Sequence, residues 1–134
     1  MIYRQKKWFY WLPVVVLCLA IFVSSSFPSL EVGPVFPLKD KLLHMAVYAT
    51  LAALFARAYR LTWPERLNPL TLLLISAGFA TIYGLSDELH QHFVTSRHAD
   101  AMDGLANLMG SLIGAAGYVL TPRFHGNHRR PKTD

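Results

Sequence analysis

Three stretches of the chain have residue types and spacings suited to chemistry. In the first, Asp40, His44 and Tyr48 are four residues apart each time, so a helix would place them on one face. An imidazole titrates near neutral pH and can serve as a general acid or base. The other two stretches add acids and amides at helical spacing: Asp87, Glu88 and Gln91, then Asp100, Asp103 and Asn107.

Each stretch also has a plainer interpretation. Asp40 and Asp103 suit helix N-termini, where an acid caps free N–H groups and opposes the helix dipole. The second stretch can be solvated where its helix leaves a membrane, can form a structural network with Arg97, or can form a binding or catalytic site. Asn107 lies a turn deeper, and because an unsatisfied amide is costly in hydrocarbon, we expect it to face the interior of a helix bundle.

Long apolar segments must position these groups. Of the 134 residues, 53% are hydrophobic and 16% are charged, against about 25% charged in a typical soluble domain. Runs without Asp, Glu, Lys or Arg cover 8–30, 67–86 and 104–122, and each exceeds the ~18 residues of a membrane-span candidate. A shorter run covers 42–56, and flanking basic side chains can extend it. The sequence therefore predicts an all-α integral membrane bundle of four transmembrane helices, with a soluble helical bundle as the alternative.

Basic residues predict the orientation of this bundle. Only Lys39, Lys41 and Arg97 fall on one side of the membrane, and the other side has Arg4, Lys6, Lys7, Arg57, Arg60, Arg66, Arg123, Arg129, Arg130 and Lys132. Basic short loops stay in the cytoplasm, so both termini are predicted to be cytoplasmic in a multi-pass protein of the inner (plasma) membrane. The net charge of +5 then indicates topology and contact with membrane lipids, and not binding of nucleic acid. The three polar stretches all fall at the outer face.

The two ends of the chain have separate interpretations. Residues 1–30 begin with basic residues and end with small ones, as a signal peptide does, but the Trp-Phe-Tyr-Trp start and the lack of a clear Ala-x-Ala site favour a retained anchor helix. Residues 122–134 form a basic tail that we expect to be cytoplasmic. Cys18 is the single cysteine, which excludes an intramolecular disulfide.

A row of small residues lies on the fourth predicted helix. Ala106, Gly110 and Gly114 are four residues apart each time. Such a row lets the backbone of another helix approach closely, so we interpret it as a packing surface without a chemical role.

The polar residues resemble those of the VanZ-like family of small integral membrane proteins. The resemblance covers about 38–120, which makes 38–121 a three-helix core. The matching motifs are Asp40-Lys41-x-x-His44-x-x-x-Tyr48, Asp87-Glu88-x-x-Gln91, Arg97, Asp103, Asn107 and Gly110. The chain departs from the family pattern at Ser96, where glycine is frequent, and it has His90, His92, His98 and Asp100 in addition. The family is named for a member associated with teicoplanin resistance, so the resemblance implies a cell-envelope setting.

Two classes of function remain open. The first is an enzyme that acts on a lipid-linked or phosphorylated envelope substrate, with Lys41 and Arg97 holding phosphate. Its catalytic residues would be His44, Asp87, Glu88 and Arg97, and its substrate-binding residues Asp40, Lys41, Tyr48, Gln91, Asp103 and Asn107. The second is a non-catalytic binding or scaffold protein, in which the same polar cluster is a helix-packing network.

Cofactor and assembly are not fixed by the sequence. Asp40, His44, Glu88 and His92 are conceivable ligands of a divalent metal, but no compact motif such as His-Glu-x-x-His is present, so we assign no metal ligands. The cofactor and the oligomeric state stay open.

Overall fold

The computed structural model describes residues 7–28, 38–64, 66–94 and 100–121. These ranges contain four α-helices: α1 (Lys7–Ser25), α2 (Lys39–Thr62), α3 (Pro69–His92) and α4 (Ala101–Leu120). By length and composition, α1, α2 and α3 can cross a membrane, whereas α4 is not among the spans found. The sequence of α4 includes Asp103, Asn107 and four glycines. The all-α class is therefore confirmed and three of the predicted spans are long and apolar enough to cross a membrane, while the fourth span and the side of the termini stay predictions.

Helix starts follow the local sequence. Asn68 caps α3 by accepting a hydrogen bond from the Thr71 N–H, and Pro69 occupies the first turn, where its missing N–H costs nothing. Asp100 caps α4 by accepting from the Met102 N–H. Neither Asp40 nor Asp103 is a capping residue. Both acids nevertheless lie in the first turn of their helices, where they oppose the dipole as expected.

The closest helix contact joins α2 and α4. A Cβ atom added to Gly110 would overlap backbone atoms of Met45, and one added to Gly114 would overlap backbone atoms of Ala49. The predicted close approach at the small-residue row is thus confirmed, and its partner is α2 of the same chain. Because the two backbones touch, the polar side chains near the start of each helix are also held side by side.

The first helix is fastened to its neighbours at two levels. Near its start, the Trp11 indole N–H donates to Thr62 Oγ1 at 2.9 Å, and its ring packs edge-on against Phe55. Further along, the Tyr83 hydroxyl of α3 donates to the Cys18 carbonyl at 2.6 Å. As a result, the end of α1 lies beside the start of α2 and the end of α3, where the predicted polar stretches meet.

Candidate functional site

The polar side chains of α2, α3 and α4 converge at one end of the bundle. They contact one another directly, with hydrogen bonds that join residues 39 to 66 positions apart in the sequence. We call this set of side chains the polar cluster: Ser25, Asp40, Lys41, His44, Tyr48, Asp87, Glu88, Gln91, Asp100, Asp103 and Asn107. Three parts of it differ in chemistry.

Asp87 is the acceptor at the centre of the first part. Tyr48, which is only 1% exposed, donates its hydroxyl to Asp87 Oδ2 at 3.2 Å. Gln91 Nε2 donates to the same oxygen at 2.9 Å and lies 3.2 Å from Ser25 Oγ on α1. Two donors therefore hold a buried carboxylate in place. Sequence reasoning missed Ser25, although the Ser24-Ser25-Ser26 run at the end of an apolar helix was a usable signal.

Lys41 forms the second part with two acids of α4. Its ammonium lies 2.5 Å from Asp100 Oδ2 and 2.5 Å from Asp103 Oδ1. Hydrogen bonds from Lys41 and from the Met102 N–H hold the pKa of Asp100 below its ordinary value, so this carboxyl is ionised at neutral pH. Lys41, which the sequence suggested for phosphate, is thus engaged by two carboxylates. Asp100, outside the family pattern, is one of its partners.

His44 stands at the centre of the third part. Its Nδ1 lies 2.9 Å from Asn107 Oδ1 and 3.7 Å from Glu88 Oε1. Its Nε2 lies 3.9 Å from Asp40 Oδ1. Asn107 is fully buried and faces the bundle interior as predicted, and Gly84 gives it room beside the Tyr48 ring. The face of α2 that carries Asp40, His44 and Tyr48 therefore places the His44 imidazole beside Glu88 of α3 and Asn107 of α4.

Glu88 has an unusual environment for an acid. The residue is 8% exposed, and neither carboxylate oxygen has a hydrogen-bond partner among the described residues. The backbone N–H of Asp100 interacts with this carboxylate electrostatically without meeting the geometry of a hydrogen bond. Asn107 Nδ2 is likewise buried without a partner in the described part of the chain. Unpaired buried polar groups are costly and rare in folded proteins, so they mark this place as something other than a packing solution.

The remaining sequence candidates lie elsewhere. Arg97 and His98 fall in 95–99, outside the described residues. His90 faces α1, with Nε2 3.1 Å from Ser26 Oγ and its ring against Phe22. His92 is exposed at the end of α3, and its ring packs edge-on against the ring of Phe93. Neither histidine joins the polar cluster.

An open groove of about 380 Å³ leads to the polar cluster. Its walls come from α1, α2 and α3. It is lined by the apolar side chains of Leu17, Ala20, Ile21, Leu43 and Val47 and by the polar residues Ser24, Ser25, Asp40, His44, Tyr48, Asp87 and Gln91. The lining is therefore amphipathic, with hydrocarbon surface beside acids, an imidazole and a phenol.

The cluster has the components of more than one chemistry. His44 can exchange a proton, and Glu88 supplies a carboxylate 3.7 Å from its Nδ1. Asp40, His44 and Asp103 each offer a ligand atom within 4.8 Å of the others, which is compatible with a metal ion. Both possibilities involve the helix ends that the sequence placed at one membrane depth.

Comparisons with known proteins identify the family. The family model described as VanZ/LLP1 matches residues 8–122, so that the match includes α1 as well as the three following helices. No curated protein matches, and no solved structure matches. The matched range contains the whole polar cluster and spans more than half of the chain, and the chain therefore belongs to the VanZ/LLP1 family.

Proposed function

We propose that this membrane protein binds the headgroup of a lipid-linked or phosphorylated cell-envelope molecule at the outer face of the inner (plasma) membrane. In this proposal α4 also crosses the membrane, both termini are cytoplasmic, and the polar cluster lies at the extracytoplasmic end. His44 would act as general acid or base with Asp87 or Glu88 beside it, and Arg97 would contact phosphate. The amphipathic groove is the observation that carries the proposal.

The groove fits a molecule with one apolar and one polar end. Its apolar walls belong to helices whose outer surfaces carry large exposed side chains such as Leu19, Leu42 and Val23, as expected of helices in contact with lipid. A chain entering from the bilayer would contact apolar residues such as Leu17 and Val47 and would bring its headgroup beside His44 and Tyr48. Small-molecule sites of this kind combine mainly apolar walls with a few polar groups that fix orientation.

The groove can be tested by filling it. In Ala20→Phe, a ring enters the groove, and we expect the amount of its specific lipid that co-purifies with the protein to fall by about tenfold or more, equivalent to at least ~1.4 kcal/mol. Leu19→Phe is the matched control, because Leu19 is the preceding residue, is 58% exposed and does not line the groove. The bound lipids are measured by mass spectrometry of each purified variant. Equal lipid content in both variants would contradict the proposal.

A scaffold role is the second candidate, and a specific observation favours it. Most of the polar cluster is paired across helices: Tyr48 with Asp87, His44 with Asn107, and Lys41 with two acids of α4. Such a network can fix helix positions without binding anything. Glu88 is the member that this role leaves unexplained, and substitution of Glu88 separates the two candidates.

The proposed topology predicts the outcome of cysteine labelling. In a Cys18→Ser background, Phe93→Cys at the exposed end of α3 is expected to react with a membrane-impermeant maleimide on intact cells. Pro64→Cys, an exposed position between α2 and α3, is expected to react only after the cells are permeabilised. The reverse pattern would place the polar cluster in the cytosol and end the envelope proposal.

A further inference from the structure

Three ligand-type side chains meet beside the groove: Asp40 and His44, which line it, and Asp103 of α4. One ligand atom from each of Asp40, His44 and Asp103 lies within 4.8 Å of the other two. Asp40 Oδ1 and His44 Nε2 are 3.9 Å apart, a distance that two ligands can span around one ion with bonds of about 2.0–2.2 Å. We propose that these three residues bind one divalent transition-metal ion. The assignment rests on ligand geometry and holds whether or not the groove binds a lipid; with the metal bound, His44 is a ligand and not the general acid or base of the proposed function.

The contacts of His44 leave its Nε2 atom able to bind a metal. Nδ1 lies 2.9 Å from Asn107 Oδ1, and because an amide oxygen only accepts hydrogen bonds, this contact is a hydrogen bond when Nδ1 carries the proton. The lone pair is then on Nε2, which is the nitrogen that faces Asp40. Metal-binding histidines usually donate their other ring N–H to a fixed oxygen in this way, which sets both the tautomer and the ring orientation.

Glu88 provides an independent indication of a cation. Its carboxylate is buried, has no hydrogen-bond partner among the described residues, and lies 3.7 Å from His44 Nδ1. A buried acid must either keep a proton or lie beside compensating positive charge, and a cation bound nearby would supply that charge. A dication bound to Nε2 makes the imidazole ring a more positive neighbour, and so accounts for an acid at this position.

The charges at this end of the bundle agree with the proposal. Among the described residues, five carboxylates (Asp40, Asp87, Glu88, Asp100 and Asp103) are accompanied by two ammonium groups, those of Lys39 and Lys41. Lys41 bonds Asp103 through Oδ1, and no described residue bonds its Oδ2, which remains able to ligate. An added dication would reduce the excess of negative charge, and it would also make the polar lining of the groove more favourable for a phosphate.

The ligand types indicate which ions fit. One imidazole nitrogen and two carboxylate oxygens suit Zn²⁺ or Mn²⁺. Ca²⁺ prefers six to eight oxygen ligands and is expected to bind more weakly. Three protein ligands also leave a coordination position open, as in zinc sites that act on a substrate.

Metal binding by the purified full-length chain tests the proposal. Tag-free protein in detergent is stripped with a chelator and titrated with Zn²⁺ or Mn²⁺ alone, with bound metal counted by elemental analysis. We expect one ion per chain, and at least about tenfold weaker binding in His44→Gln and in Asp40→Asn, since loss of even a supporting residue typically costs 10–100-fold. Thermal unfolding of the variants without metal confirms that they fold.

Two controls address histidines that are not in the site. His92→Gln removes the exposed histidine at the same end of the bundle, and a double substitution, His125→Gln with His128→Gln, removes those of the tail. Both are expected to keep the high-affinity ion. If the ion is lost in either control, or is bound equally well by His44→Gln, the assignment is wrong. One ion bound as expected, together with equal lipid content in Ala20→Phe and Leu19→Phe, would reject the proposed function alone.

Discussion

The Gly114→Ala variant is expected to lose about 1–3 kcal/mol of the free energy of unfolding, the usual cost of overpacking a core, or more. The added Cβ would overlap the carbonyl group and Cα of Ala49. These are backbone atoms of a helix, so no side-chain rotation can relieve the overlap, and α2 must move away from α4. That movement would also separate Lys41 and His44 from Asp103 and Asn107. Reversible unfolding in mixed micelles measures the stability, and immunoblotting measures the abundance in membranes.

The same helix offers a matched control. Gly117→Ala is the identical chemical change three residues later, where an added Cβ has nothing within 4 Å. This variant is expected to be neutral or to gain up to ~1 kcal/mol from the higher helix propensity of alanine. Equal destabilisation by the two substitutions would mean that α2 and α4 do not approach each other at Gly114 as described.

The Glu88→Gln variant is expected to fold as well as the parent protein, or to gain about 1 kcal/mol, because burial of an unpaired charged group is relieved. Most substitutions at buried positions are destabilising, so retained stability would itself be informative. The affinity for Zn²⁺ and the amount of co-purified lipid are each expected to fall by about tenfold or more, since the charge beside His44 is lost. Affinity for Zn²⁺ and retention of the co-purified lipid are the two measurements.

The neighbouring acid gives the contrast. Asp87→Asn removes a charge from a carboxylate that accepts hydrogen bonds from Tyr48 and Gln91, and bonds to charged groups contribute about 1.5–3 kcal/mol. We therefore expect Asp87→Asn to be clearly less stable than Glu88→Gln. If Glu88→Gln is destabilised to the same extent and binding is unchanged, the polar cluster is a helix-packing network and the scaffold alternative is preferred.

Much of the fold could be predicted from the sequence because the signals are local. Uncharged runs marked the helices, Pro69 marked the start of α3, and the three-and-four spacing of Asp103 and Asn107 placed them on one face. The meeting of α2, α3 and α4 at one end followed from alternating directions through a membrane. These features depend on composition and helical periodicity, which a single sequence displays.

The pairing within the candidate site was harder to predict. Helical spacing states which residues share a face but not which neighbouring helix that face contacts. Lys41 was therefore considered for phosphate, while the structure places it between Asp100 and Asp103. Ser25 was missed for the same reason, because its role depends on α1 packing beside Gln91. The role suggested for Arg97 stays a prediction, since 95–99 lie outside the described residues.

The polar and glycine-lined face of α4 has a consequence for biogenesis. In the proposed topology this helix leaves the ribosome after α1, α2 and α3, and it is not among the membrane spans found by length and composition. Asp103, Asn107 and Ser111 are nevertheless shielded from the bilayer, because that face packs on helices made earlier. Integration of α4 is then coupled to tertiary assembly, so the translocon would deliver α4 onto a docking surface already formed by the preceding helices.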